Sequence, residues 1–129
     1  MPDGSQTQEA KALIAEEIAL ALMGARALKP ERIAEGANWQ KGSKSLIGRN
    51  AIVEAAQLFP RDITINEIVS HGKAAAVSGK ARDARGRTHL FCHMIRFTNA
   101  SAGQVASIVS FEHATGPSKR ANLFADENN

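Results

Sequence analysis

Glu67 and His93 are the pair of side chains in this sequence whose spacing points to proton transfer. After Pro60 the hydrophobic period falls to two, with hairpin-like breaks at His71-Gly72, at Ala84-Arg85-Gly86 and from Asn99 to Gly103. With a two-residue turn at His71-Gly72, Glu67, Ala76 and His93 share one rung of one sheet face. The carboxylate and imidazole then stand two strand spacings apart, about 9 to 10 Å. An apolar enclosure raises a carboxylate pKa and lowers an imidazole pKa, which supplies an acid and a base near neutral pH. The same register sets His113 opposite His89, so Glu67, His93 and His113 are the candidate catalytic residues. The competing reading is a core histidine bonded to a neighbour, with Glu67 reaching the rim.

Three histidines on one face invite a metal site. His89 and His93, however, stand about 13 Å apart along one strand with Phe91 between them, too far to share an ion, and no metal is expected. Cys92 falls mid-strand on the opposite face with no histidine facing it, as a packed interface cysteine would. Trp39 is either a pocket wall stacking on a ligand or a core plug. The segment from Lys41 to Ser45 lacks a phosphate-loop pattern and reads as a surface loop.

Composition narrows the chemistry. The 129 residues are 43% apolar and 22% charged, the balance of one globular domain, and a single cysteine excludes an internal disulfide. There is no tyrosine, so no phenol is available as a catalytic acid. The net charge of +3 is scattered, and its basic groupings lack interleaved aromatics, so no nucleic-acid partner is expected. The apolar run from Ile18 to Ala25 is too short to span a bilayer, and no basic segment leads into an apolar one, so the expected location is cytoplasmic with no membrane partner.

The elements that must position these groups come in two runs. Ser5 and Gln8 form a capping box ahead of a long helix in which Ala10, Leu13, Ile14, Ile18, Ala21, Leu22 and Ala25 recur at helical spacing. Pro30 with Glu31 predicts a short second helix leading to Trp39, followed by a polar loop. Gly48 opens a third helix with a stripe of Ile52, Ala55, Ala56 and Phe59, stopped by Pro60. Four antiparallel strands follow, near 62–70, 73–83, 87–98 and 104–113. The expected fold is α+β, a single domain over 1–114 with a polar tail over 115–129. One sheet face collects Glu67, Val69, Ala76, His89, Phe91, His93, Ile95, Val109, Phe111 and His113 and is assigned to the helices. The other, centred on Val77, Cys92, Met94 and Ile108, is assigned to a homodimer partner.

These features resemble the nuclear transport factor two-like superfamily, particularly its SnoaL-like polyketide cyclase and ketosteroid isomerase-like branch. The resemblance covers residues 5 to 113. It rests on the long first helix, on Trp39 ahead of Gly48-Arg49-Asn50-Ala51-Ile52, and on the closing hairpin from Arg96-Phe97 through Gly103 to Val105, Phe111 and His113. It implies a cone: three N-terminal helices on the concave face of a curved, mostly antiparallel sheet of four to six strands, around an internal pocket. The pocket would hold an apolar or aromatic ligand against Trp39, His89, Phe91, Ile95, Val109 and Phe111. It implies cofactor-independent isomerase, cyclase or dehydratase-like chemistry, the alternative being a non-catalytic ligand-binding or protein-interaction dimerisation module. The family isomerases use an aspartate base with a tyrosine and a protonated carboxyl donor, whereas this chain has no tyrosine and carries His113 where many relatives have aspartate.

Overall fold

The computed structural model describes residues 4–57 and 61–115, with side chains over 9–57 and 61–114. Helix α1 spans Gly4–Leu22 and is followed by a 3₁₀ turn at Pro30–Arg32. Strands β1 (Ile33–Lys41) and β2 (Lys44–Ile47) precede helix α2 (Arg49–Ala55). Strands β3 (Asp62–His71), β4 (Ala74–Arg82), β5 (Thr88–Phe97) and β6 (Val105–Thr115) complete the described chain. All six strands form one sheet in the order β2-β1-β6-β5-β4-β3. Its pairings are antiparallel except β1 with β6, which run parallel.

The last four strands lie where the alternation places them. Two helices are present among the described residues rather than three. Proline at the start of Pro30–Arg32 does begin a helical turn, but it stops after three residues. From Ile33 onward the residues to be buried, Ile33, Ala37 and Trp39, suit an extended chain against the core, and the expected polar loop is a hairpin with Lys41 opposite Lys44. The side chains of Ser5 and Gln8, Phe59 and Pro60, and the tail beyond 115 lie outside the described residues.

On α1 the buried residues are Lys11, Ala15, Ile18, Ala19, Ala21 and Leu22, so Ile18, Ala21 and Leu22 are buried as expected while Leu13 is exposed and Lys11, Ala15 and Ala19 are buried instead. The departure lies in the first half of the helix, where a polar contact is buried. Lys11 Nζ donates to the Gly72 carbonyl oxygen at 2.6 Å, tying the helix to the β3–β4 turn. Alanines at 15 and 19 let α1 approach β3 and β4 closely. The Gly48-Arg49 start of α2 has a structural reason as well. Gly48 adopts φ 98°, open chiefly to glycine, and Arg49 Nε donates to the Ile33 carbonyl oxygen at 2.8 Å, fastening α2 to β1. Both helices share one core with the sheet, centred on Trp39, Ile52, Val77, Ile95, Phe97, Val105 and Ile108.

Three registers depart from the expected ones, and each changes which residues meet. In β3, Ile65 pairs with Gly79 but Glu67 pairs with Ser78, so Asn66 is an extra residue. In β6, Val105 pairs with Phe97 but Ser107 pairs with Arg96, which makes Ala106 another. A bulge turns every later side chain to the other face. Between β4 and β5, Val77 rather than Ala76 lies opposite His93, a one-residue slip closed by the Asp83–Arg87 turn. Val77 and Ile108, expected on the dimer-forming face, are consequently fully buried in the helix-covered core. No helix among the described residues is long and apolar enough to cross a membrane.

Candidate functional site

Where α1 ends against the sheet, a cavity of about 280 Å3 opens beside His93. Leu22 and Met23 come from the end of α1, Trp39 and Lys41 from the end of β1, Arg61 from the approach to β3, and Ser110 and Glu112 from β6. Pairing of His93 with Ser110 across β5 and β6 sets the two side chains next to each other.

Ser110 is the hub. Trp39 Nε1 donates to Ser110 Oγ at 2.7 Å, and His93 Nδ1 lies 2.6 Å from the same oxygen. Indole N–H is a donor only, so the hydroxyl accepts from Trp39, and Nδ1 is the one acceptor that the described residues offer to its own hydrogen. Donor and acceptor counting therefore assigns the ring proton of neutral His93 to Nε2. That nitrogen is buried and has no hydrogen-bond partner. The residue is 3% exposed, with the Phe91 ring centroid 5.2 Å from its own. Burial, helped by the positive charges of Lys41 and Arg61, holds its pKa down at about 4. At neutral pH the imidazole is thus an uncharged, buried donor beside the Phe91 ring.

A second network borders the cavity. Arg61 pairs with Glu112 at 2.8 Å, His89 Nδ1 lies 3.5 Å from the same Glu112 oxygen, and His89 Nε2 lies 3.2 Å from Asp83 Oδ2. Asp83 Oδ1 accepts the backbone N–H groups of Arg85 and Arg87. These bonds, that of Arg87 foremost and then His89, pull the Asp83 pKa down to about 2. Lys41 Nζ lies 4.7 Å above the Trp39 ring centroid. Among the described residues no group of three or more histidines, cysteines and carboxylates is placed to hold a metal ion.

Neither a family model nor a curated protein matches the sequence. Solved structures do match. A protein of unknown function from Mesorhizobium loti, described as NTF2-like after nuclear transport factor two, superposes with a TM-score of 0.65 at 19% identity, covering 90% of this chain and 98% of that one. Another, from Burkholderia xenovorans, gives 0.67 at 14% identity, with 90% and 94% covered. A Jannaschia protein named for the SnoaL-like polyketide cyclases gives 0.62 at 17% identity, with 97% and 94% covered. The chain has the NTF2-like fold.

Within that NTF2-like cone the expected site residues separate. Trp39 and His93 do meet, joined through Ser110, and Phe91 lies against His93. His89 is on the same face but is engaged by Asp83 and Glu112, and Ile95 is core. Glu67 does not face His93. The bulge at Asn66 turns it outward, where it is exposed opposite Ser78. His113 is exposed on the outer face, opposite Leu90, because Ala106 shifts β6. The same shift sends Val109 into a groove on the outer face with Val69, Ala76 and Met94, and leaves Phe111 57% exposed at the cavity rim. Cys92 is half-buried and, like Met94, on the outer face as expected.

Sequence reasoning missed Lys41, Arg61, Ser110 and Glu112. Alternation assigned Ser110 and Glu112 outward, and only the Ala106 bulge brings them in. Lys41 reads from the sequence as part of a surface loop, and the hairpin that delivers it is not expected there.

Proposed function

We propose that this NTF2-like protein is a small-molecule pocket protein of the SnoaL-like type, and that His93 and Glu112 carry out proton transfer next to a carbonyl without a cofactor. One observation carries the reading: a buried, uncharged imidazole with an unpartnered Nε2 lines a cavity of about 280 Å3. An orphaned buried donor is costly, and a ligand oxygen is the partner that would relieve it. A neutral imidazole N–H of this kind polarises a carbonyl and stabilises the enolate that forms when a proton leaves the adjacent carbon. In that step the C–H bond breaks, its electron pair forms the C=C bond of the enolate, and the proton passes to the Glu112 carboxylate. Isomerisation, cyclisation and dehydration all begin this way, and the Jannaschia neighbour's name falls within this group.

The test is loss of α-hydrogen from small aromatic ketones in D2O, followed by proton NMR, which needs no knowledge of the product. Wild-type protein should accelerate the exchange, and His93→Gln and Glu112→Gln should each slow it at least about tenfold. Unchanged exchange in both variants overturns the assignment.

An interaction role for the opposite face has its own support. Val69, Met94 and Phe111 are 55%, 52% and 57% exposed on the outer sheet, more apolar surface than a free strand face usually shows. A homodimer through Met94, Cys92 and Val69 accounts for it, and a monomer by sedimentation at micromolar concentration would rule it out.

A further inference from the structure

We propose that the cavity beside His93 takes a single-ring compound carrying one carboxylate and one carbonyl, with the carboxylate seated at Lys41 and the carbonyl oxygen on His93 Nε2. This rests on the reading that the cavity is a ligand site, and it adds the ligand's charge and size.

Charge decides the first part. The lining holds two cations, Lys41 and Arg61, and one carboxylate, Glu112. Arg61 and Glu112 are already paired at 2.8 Å, whereas Lys41 has no carboxylate within ion-pair distance among the described residues. Among the described residues, Lys41 is therefore a lining cation with a gap where its counter-charge would sit. A carboxylate closes that gap, while a phosphate monoester, with nearly two charges, overshoots it. The positive field is felt inside the site, since Lys41 and Arg61 both oppose protonation of His93.

Volume and polarity decide the rest. About 280 Å3 falls just below the range of pockets that enclose drug-sized molecules, which leaves room for one ring and not for a fused multi-ring ligand. Leu22 and Met23 supply an apolar wall for that ring. Among the described residues the lining offers Lys41 Nζ, which has no carboxylate partner, and His93 Nε2, which has no hydrogen-bond partner: an anion site and a neutral donor. A molecule that satisfies both has an acid group and a carbonyl.

Calorimetric titration with phenylpyruvate and with its uncharged methyl ester separates the ideas. The acid should bind wild-type protein about tenfold more tightly than the ester, and added salt should narrow the difference. Lys41→Gln, at an exposed position where folding is safe, should remove that preference, and Lys41→Arg should restore it. An ester that binds as well as the acid overturns the charge assignment and leaves the ligand site standing. Binding of neither compound, with the His93 imidazole NMR signals unmoved, overturns the ligand site itself and this proposal with it.

Discussion

His93 Nδ1 and Ser110 Oγ stand 2.6 Å apart because β6 carries one residue more than β5 needs. Without the extra Ala106, strict alternation from Val105 would turn Ser110 to the opposite face and present Val109 to His93. The bulge thus selects a hydroxyl instead of a methyl group as the imidazole's neighbour. It also sets the tautomer, since the Ser110 hydroxyl accepts from Trp39 and finds in Nδ1 the one acceptor for its own hydrogen among the described residues.

Ser110→Ala should be disproportionately harmful for the loss of one oxygen atom. It strands both Trp39 Nε1 and His93 Nδ1 in a buried environment, and two such groups cost about 2 to 4 kcal/mol together. Urea unfolding measures this directly. A loss below about 1 kcal/mol would mean that the hub is not formed in solution.

Acid should weaken the fold through His93. Its folded pKa, about 4, is below the ordinary 6.5 of the unfolded chain, so between these values the unfolded state binds the proton and the folded state does not. Stability therefore falls as pH drops from 6.5 towards 4, by about 3 kcal/mol over the window, and is unaffected by this group above it. His93→Gln should flatten that part of the stability profile. An equally steep profile in the variant would assign the acid sensitivity elsewhere.

Asp83 should remain ionised far into acid. Two backbone N–H groups and His89 bond to its carboxylate, and carboxyl carbon NMR should place its titration near pH 2. Titration near pH 4 would mean that the Asp83–Arg87 turn is open in solution.

Gly79→Ala should damage the sheet beside the β3 bulge. A Cβ there would run into the Thr64 carbonyl oxygen and come within 3.0 Å of Phe91 Cζ. Backbone is the obstacle, so the neighbour cannot swing aside, and a loss of about 3 kcal/mol in thermal or urea unfolding is expected. A near-neutral effect would show that the strand pair has room to shift.

Glu67→Gln, in contrast, should leave α-hydrogen exchange unchanged. The carboxylate is exposed on the face away from His93, so its removal does not reach the cavity. A slowed exchange would return Glu67 to the site.

The sequence by itself determined the element types from Pro60 onward, the start of α2 and the face of β5. These are local properties: alternation of apolar residues, turn residues at fixed offsets, a glycine required at φ 98°. The absent tyrosine is equally plain in the sequence, and it rules out a phenol donor. Tertiary structure alone decided which residues share a cavity. Two bulges, at Asn66 and Ala106, and a slip at the β4–β5 turn each move a strand by one residue, and in a period of two that exchanges inside for outside. Glu67 and His113 left the site by that route, and Ser110 and Glu112 entered it. The β1–β2 hairpin brought in Lys41 for a related reason. Local propensity around Pro30 favours a helical turn, but burying Ile33, Ala37 and Trp39 against β6 stabilises the extended chain, and that contact lies some seventy residues away in sequence.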